Sequence, residues 1–326
     1  MKRLVVLIFI FISLGLKAQD PEFTQFYANP LYLNPAFAGT AQGPRLIMNY
    51  RNQWPSLQSS FVTYAASWDQ HFDKLAGGIG AQVMYDRAGD GELSTYQGSF
   101  IYSYHLNLSP KFSIKAGLQT SIQQKTIDFS KLIFGDMIHP RQGVVRETQE
   151  NLPAPGFYKM NPFLDFSAGI MAFTKRFYAG AAVHHINKPK QSFLDDPSSI
   201  LNRKYTSHIG MMIPLENSRF PTKFFSPNIL FQMQDNFMQF NVGAYFIKDY
   251  FISGIWFRQT SANFDAVMAL IGIKKDPVKI GYSYDITFSE ARFGARGSHE
   301  ISLIFELDSR DRVPSTKWRK MQCPDF

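Results

Sequence analysis

From Phe112 to Gln123 the chain reads FSIKAGLQTSIQ, and each step along it changes the character of the side chain. Phe112, Ile114, Ala116, Leu118, Thr120 and Ile122 fall on one face. Ser113, Lys115, Gly117, Gln119, Ser121 and Gln123 fall on the other. A helix would mix the two sets, whereas a strand separates them, because successive Cβ atoms point to opposite faces. The pattern recurs over Gly78–Tyr85, where Ile79, Ala81, Val83 and Tyr85 oppose Gly80, Gln82 and Met84. In 237–246, Met238, Phe240, Val242, Ala244 and Phe246 oppose Gln239, Asn241, Gly243 and Tyr245, and near the end Ile301, Leu303 and Phe305 alternate with Ser302, Ile304 and Glu306. Turn residues divide such runs into fourteen predicted strands: 44–52, 60–69, 75–86, 93–106, 110–124, 164–174, 176–185, 203–214, 222–234, 236–246, 249–258, 262–273, 276–285 and 299–307. They are longer than the usual five or six residues of soluble sheets and suit tilted strands that cross a bilayer.

Composition separates a membrane barrel from a soluble sandwich. Aromatic residues make up 15% of the chain, with 31 Phe and 15 Tyr, and charged residues only 18%, against roughly 25% in ordinary soluble domains. A dry core has no use for Lys115, Gln119 and Gln123 in line on one face. Tyr102, Tyr104, Tyr282 and Tyr284 near strand ends suit the aromatic girdles of an outer-membrane barrel. The expected class is therefore all-β: a transmembrane antiparallel barrel of about fourteen strands. An even count lets both ends emerge on one side. Several alternate links are turns of two to five residues, as at 106–110 and 247–250. The opposite set contains the long links 125–163, 186–202 and 286–298, and that asymmetry is the one expected of such barrels. Two links depart from it: the ninth-to-tenth is very short, and 215–221 is long for its side.

Both ends of the chain carry additions. MKRLVVLIFIFISLGLKAQD has a basic start, a short apolar run and a small residue at Ala18, the pattern of a secretory signal peptide over 1–18. Its removal takes Lys2, Arg3 and Lys17 and leaves 31 basic against 26 acidic residues, a net charge of +5 instead of +8. Residues 19–43 then hold Phe23, Phe26, Tyr27, Tyr32 and Phe37 with two Asn-Pro pairs. The prolines keep this segment out of a sheet, yet it is too apolar for a free tail. It is expected to close the lumen of a barrel over 44–307, with Pro21 starting a short helical turn; the alternative is a strap outside the barrel. Residues 308–326 form a basic tail around Trp318, Arg319 and Lys320, either soluble or a docking segment.

Signals of chemistry are few. Basic residues are scattered among acids, which argues against nucleic acid as a partner. The single Cys323 forms no internal disulfide. His184 and His185, adjacent on a predicted strand, should point to opposite faces and not share a metal. Gly78-Ile-Gly80 is followed by no helix, and barrel glycines more simply relieve crowding or permit bending. Asp128, Asp136, Glu147 and Glu150 read as a solvated loop, and no Gly-x-Ser-x-Gly elbow occurs. No catalytic residue, cofactor-binding residue or metal ligand emerges, and no enzyme is expected.

Three stretches carry a resemblance. QDPEFTQFYANPLYLNPAFAGT at 19–40, IDFSKLIFGDMIHPRQG at 127–143 and the terminal CPDF are similar to the PorP/SprF family of type IX secretion system membrane proteins, over essentially the whole mature chain. The resemblance implies a fourteen-stranded outer-membrane barrel in contact with outer-membrane lipid, and the alternating strands and loop asymmetry lead us to expect both termini in the periplasm. The resemblance also implies secretion or surface attachment of particular large cargo proteins, among them gliding adhesins with a type B C-terminal sorting domain, and partners among the other secretion or motility components. No site residue transfers with it. Partner contacts are expected from Phe134, Arg141 and Arg146 in the long link and from Trp318, Arg319 and Lys320 in the tail. Lys188, Lys190, Arg292 and Arg296, with Val144 and Phe293, would extend the loop surface. The other reading is a passive porin or a transporter of hydrophobic compounds.

Overall fold

A computed structural model describes residues 20–307 apart from 42, 58–59, 90–92, 140, 147, 150–155, 194–198, 219–220, 262–263 and 289–296. The predicted signal peptide and C-terminal tail lie outside the described residues. Fourteen strands close into an antiparallel barrel: β1 Arg45–Gln53, β2 Phe61–Phe72, β3 Gly77–Ala88, β4 Leu93–Ser109, β5 Phe112–Asp128, β6 Phe163–Phe173, β7 Phe177–His184, β8 Lys204–Met211, β9 Lys223–Gln234, β10 Phe237–Lys248, β11 Phe251–Thr260, β12 Phe264–Lys275, β13 Val278–Thr287 and β14 Ser298–Glu306. Each strand pairs with its chain neighbours. β1 also pairs with β14, from Arg45 opposite Glu306 to Gln53 opposite Ser298, and this closes the ring.

The wall is inside-out relative to a soluble protein. In β5 the apolar set faces outward, with Leu118 65% exposed, while Lys115 on the alternate face is 1% exposed. The same inversion runs through β10, where Phe240 and Val242 are exposed and Gln239 and Asn241 are buried. Only lipid makes this favourable. Closure satisfies every strand edge, and the apolar face meets hydrocarbon rather than water. Tyr50, Tyr64, Tyr85 and Tyr96 are cross-strand neighbours on the outer face of β1–β4, with successive ring centroids 5.0, 6.3 and 4.9 Å apart.

The links confirm the asymmetry and explain its exceptions. One end carries the tight turns 110–111, 174–176, 249–250 and 276–277, together with Asp73–Leu75, a 3-10 turn. The other end carries 129–162 and 185–203. The two-residue β9–β10 link, Asp235-Asn236, is a genuine turn. Gln234 and Phe237 pair across it, and Asp235 takes a left-handed φ of 54°. On the short-turn side, Ile213–Pro214 pairs with Phe224 and Phe225, so the β8–β9 link is long because its base is a continuation of the sheet. Within 129–162, Phe157–Lys159 pairs with Thr126–Asp128 and a small hairpin joins Ile138–His139 to Gly143–Val144.

Leu118 sits near the middle of a strand on the lipid face. Replacing it with Arg should lower folding stability in lipid vesicles by about 2–4 kcal/mol. Val144→Arg, in an exposed loop, should change it by less than about 0.5 kcal/mol. Urea titration followed by heat-modifiable gel mobility would measure both.

Candidate functional site

The lumen is occupied by the chain's own N-terminal residues. Phe26–Ala28 forms a 3-10 turn, Pro30–Leu33 one α-helical turn and Pro35–Phe37 a second 3-10 turn. Pro30 and Pro35 each stand at a first helical position, where a missing N–H costs nothing. Pro21 starts no such turn. Asn34 caps the last turn, accepting from the Ala36 N–H at 2.9 Å, and its amide also donates to the wall carbonyls Ile170 O and Ala181 O at 3.2 and 3.3 Å.

Phe23, Phe26, Tyr27 and Phe37 are buried, and Tyr32 is half-buried. Their rings meet inward-facing aromatics of the wall. Phe26 packs edge-on to Trp256 at 5.2 Å, Tyr27 against Tyr178 at 5.8 Å, and Phe37 stacks on His208 at 5.3 Å. Phe23 meets Tyr32 at 5.3 Å beside Ala65 and Met84. The protein's apolar core is thus the contact between this segment and the lumen wall.

Wall glycines make room for it. A Cβ on Gly117 would lie 2.4 Å from the Ala36 nitrogen and the Pro35 carbonyl carbon, and one on Gly78 would lie 2.3 Å from the Ala38 oxygen. The backbone cannot give way at either point. These glycines therefore serve close approach of the segment, which is more specific than the relief of crowding expected of them.

Polar anchors hold the segment along its length. At the short-turn end, Ser103 Oγ and Lys115 Nζ both donate to Ala38 O at 2.6 Å, and the Gly39 N–H donates to Asp69 Oδ2 at 2.7 Å. Asp69 in turn receives Arg45 Nε at 2.8 Å. Midway, Gln82 Nε2 donates to Asn29 Oδ1 at 2.8 Å and Asn49 Nδ2 to Ala28 O at 3.1 Å. Higher in the barrel, Glu300 accepts from the Thr24 and Gln25 N–H groups at 2.6 and 3.1 Å, and the Thr24 hydroxyl donates to Asp285 at 2.6 Å. Arg51 lies 3.4 Å from Asp285 and 3.7 Å from Glu300, and Arg258 lies 3.3 Å from Asp285. Sequence reading missed this cluster. Its signal was present: Arg51, Arg258, Asp285 and Glu300 are charges at lumen-facing positions of strands.

The segment begins at the long-loop end. The Asp20 N–H donates to Gln234 beside the β9–β10 turn at 3.2 Å, while Leu307 leaves at the short-turn end. The His185 ring stands between two carboxylates, Nε2 2.8 Å from Asp20 and Nδ1 2.9 Å from Asp165. Two acceptors require two donors, so the ring is an imidazolium. Burial opposes its charge, but the Asp20 and Asp165 carboxylates raise its pKa to about 9. The expectation that His184 and His185 face opposite ways fails here. β7 ends at His184, and His185 takes a φ of 56°, so the pleat breaks and both rings are buried on the lumen side.

The expected loop contacts fall within one structured link. Phe134 is half-buried; Arg141 and Arg146 are exposed. Arg146 Nε donates to the Asp136 carbonyl at 2.6 Å, and Asp136 accepts from the Gln149 N–H at 2.6 Å and from the Thr148 hydroxyl at 3.0 Å. The Gln149 N–H, with help from Thr148, holds Asp136 below the usual carboxylate range. Asp136 organises the loop. Lys188 and Lys190 lie in the β7–β8 link. Glu147, Glu150, Arg292, Phe293, Arg296, Trp318, Arg319 and Lys320 lie outside the described residues.

The raised His185 pKa sets a pH window. Its link to Asp20 is complete below about pH 6.5 and is lost as pH rises through about 9. A spin label at Glu22 should therefore become mobile near pH 9. In His185→Gln it should be mobile at pH 7 and show no such transition.

A family model described as Type IX secretion system membrane protein PorP/SprF matches residues 15–305. The fold is shared with a solved structure. The Ralstonia pickettii toluene transporter TbuX aligns at a TM-score of 0.51 and 9% identity, covering 85% of this chain and 93% of that one. The Acinetobacter baumannii outer membrane protein Omp33 aligns at 0.46 and 7%, covering 82% and 100%. A Pseudomonas aeruginosa FadL homologue aligns at 0.43 and 11%, covering 81% and 90%. No curated protein matches the chain.

Proposed function

The chain belongs to the type IX secretion system membrane protein PorP/SprF family, and from that premise we propose that this outer-membrane barrel supports export or surface attachment of particular large cargo proteins, presenting one surface on each side of the membrane, and catalyses no reaction. The observation that carries this reading is the lumen occupied by the N-terminal segment. Residues 20–41 pack into the lumen from the long-loop end to the short-turn end, and their aromatic rings are buried against its wall. A barrel so occupied has little bore for passive diffusion, whereas its rigid wall can hold loops and tail in place.

In this reading the short-turn end faces the periplasm, as in other outer-membrane barrels. The link 129–162, with Phe134, Arg141 and Arg146, faces outward and combines apolar and cationic groups suited to holding a protein partner. The tail around Trp318, Arg319 and Lys320 meets secretion or motility components, or the sorting domain of the cargo. Residues 20–43 act as a plug. The porin or hydrophobic-compound transporter reading predicts instead an open path through the intact protein.

Conductance separates these readings. In planar bilayers the intact barrel should be closed, and deletion of residues 20–41 should open it; a steady open pore in the intact protein would reject the plug. The cargo role is tested by the surface proteome of a deletion strain, where one or a few large surface proteins should disappear while other secreted substrates persist. Truncation after Ser309 should give the same loss with the barrel still folded. Equal loss of every substrate would assign the protein to the general machinery, and loss of small-molecule uptake alone would favour transport.

A further inference from the structure

The lipid-facing wall is not evenly convex. A groove of about 790 Å³ crosses it from β14 through β1 to β5. Cross-strand pairing sets the outward side chains there in rows. Tyr50, Tyr64, Tyr85 and Tyr96 form one row. The next row toward the short-turn end holds Ala66 opposite Val83 and Gly98 opposite Ile122. The row after that holds Trp68 and Phe100, each opposite Ala81. Ala66 and Gly98, two small residues, thus lie between rows of rings.

The barrel itself does not require glycine at position 98. A Cβ there would meet the Ile122 side chain at 3.8 Å, an ordinary contact, and its φ is not left-handed. Gly78 and Gly117 differ, because a Cβ at either would strike the N-terminal segment. A mid-strand glycine weakens its strand. Where the fold does not need it, it marks close approach by something else. At this depth on the outer wall, that is hydrocarbon or another membrane protein.

The row on the other side of the tyrosines, at the long-loop end, is polar. It holds Asn52, Arg87 and Ser94. Arg87 is exposed and makes no ion pair or hydrogen bond among the described residues. The Tyr85 hydroxyl lies 3.2 Å from Ser94 Oγ, so this ring leans toward the polar row. Arg87 stands two rows from Gly98, a strand rise of roughly 14 Å. A cation, then phenols, then an apolar trough is the order of an amphiphile whose phosphate lies beyond its acyl chains. A protein partner has no such fixed order. The groove spans six strands, roughly 24 Å at about 4.8 Å per spacing, which is room for several acyl chains side by side.

We propose that this groove binds one molecule of lipid A, the phosphorylated and multiply acylated glycolipid of the outer leaflet, with its chains over Ala66 and Gly98 and a phosphate on Arg87. The proposal rests on the outward orientation of the long-loop end read above and is independent of the cargo role.

The test is native mass spectrometry of the purified full-length barrel in detergent. It is titrated with lipid A and, as comparators, with phosphatidylglycerol and with lipid A stripped of phosphate. Lipid A should add as one saturable adduct, and both comparators should bind at least about tenfold more weakly. Gly98→Leu fills the floor and should weaken the adduct at least about tenfold while the lipid-free unfolding midpoint holds. If Gly98→Leu fails to fold, Ala66→Leu replaces it. Arg87→Gln should cost about tenfold, and Arg87→Lys should restore most of the binding. No saturable adduct, a comparator binding as tightly as lipid A, or binding indifferent to the floor or Arg87 variants would each overturn the proposal. The orientation is read separately, with an impermeant maleimide on intact cells carrying Gln142→Cys in a Cys323→Ser background. Labelling without a lipid A adduct rejects the groove alone. An adduct without labelling rejects the outward orientation, and with it lipid A as the occupant in cells.

Discussion

A strand that crosses lipid must turn its apolar face outward, and its polar face is then committed to the interior of the ring. In this barrel the consequence is a lumen lined by Lys115, Gln119, Asn241, Asp285 and Glu300, all buried. Such a lining is expensive unless it is hydrated or paired. The chain pairs much of it with its own N-terminal segment, whose backbone N–H groups at Thr24, Gln25 and Gly39 meet Glu300 and Asp69 and whose carbonyls at Ala28 and Ala38 meet Asn49, Ser103 and Lys115. Irregular backbone is tolerated at membrane depth because it meets protein and not lipid.

Segment and wall are therefore complementary and not separable. Gly78 and Gly117 are open on the wall because the segment's backbone passes there, and Trp256, Tyr178 and Tyr245 turn large rings inward because Phe26 and Tyr27 are present to meet them. The Arg51–Asp285–Glu300–Arg258 cluster follows the same logic. Its two carboxylates are shared among two guanidiniums and the segment's Thr24 and Gln25. Removing one member of such a group leaves a buried charge uncompensated, commonly at about 3–5 kcal/mol.

The arrangement also shapes how the molecule must form. Thr24 bonds to Glu300, 276 positions away, so the first-made part of the described chain is fastened by the last strand. Contacts of that separation form late, since loop closure is costly before they reward it. The segment must be enclosed as the ring closes at β1 and β14. Once enclosed, it is held near both ends, by Asp69 below and by Asp20 with His185 above, and the remaining space collects on one side near the long loops.

Strand number, strand limits and the outward and inward faces were legible in the sequence, because period-two alternation is a local property and lipid leaves one way to orient it. Residues 112–123 alone predict which side chains of β5 meet lipid. The asymmetry of the links was equally local, although the Asp235-Asn236 turn looked anomalous until its pairing was seen. The aromatic residues and prolines of 23–37 told that the segment must be buried outside any strand. Their partners were not legible, because they come from β1, β3, β7, β8, β10, β11 and β14 at separations no local pattern encodes. Nor was the common burial of His184 and His185, which depends on one left-handed residue ending a strand. The sequence determined a wall with a lipid face and a polar face; only the closed ring decided which polar groups meet across the lumen, since closure sets strand register and so brings distant residues to the same depth.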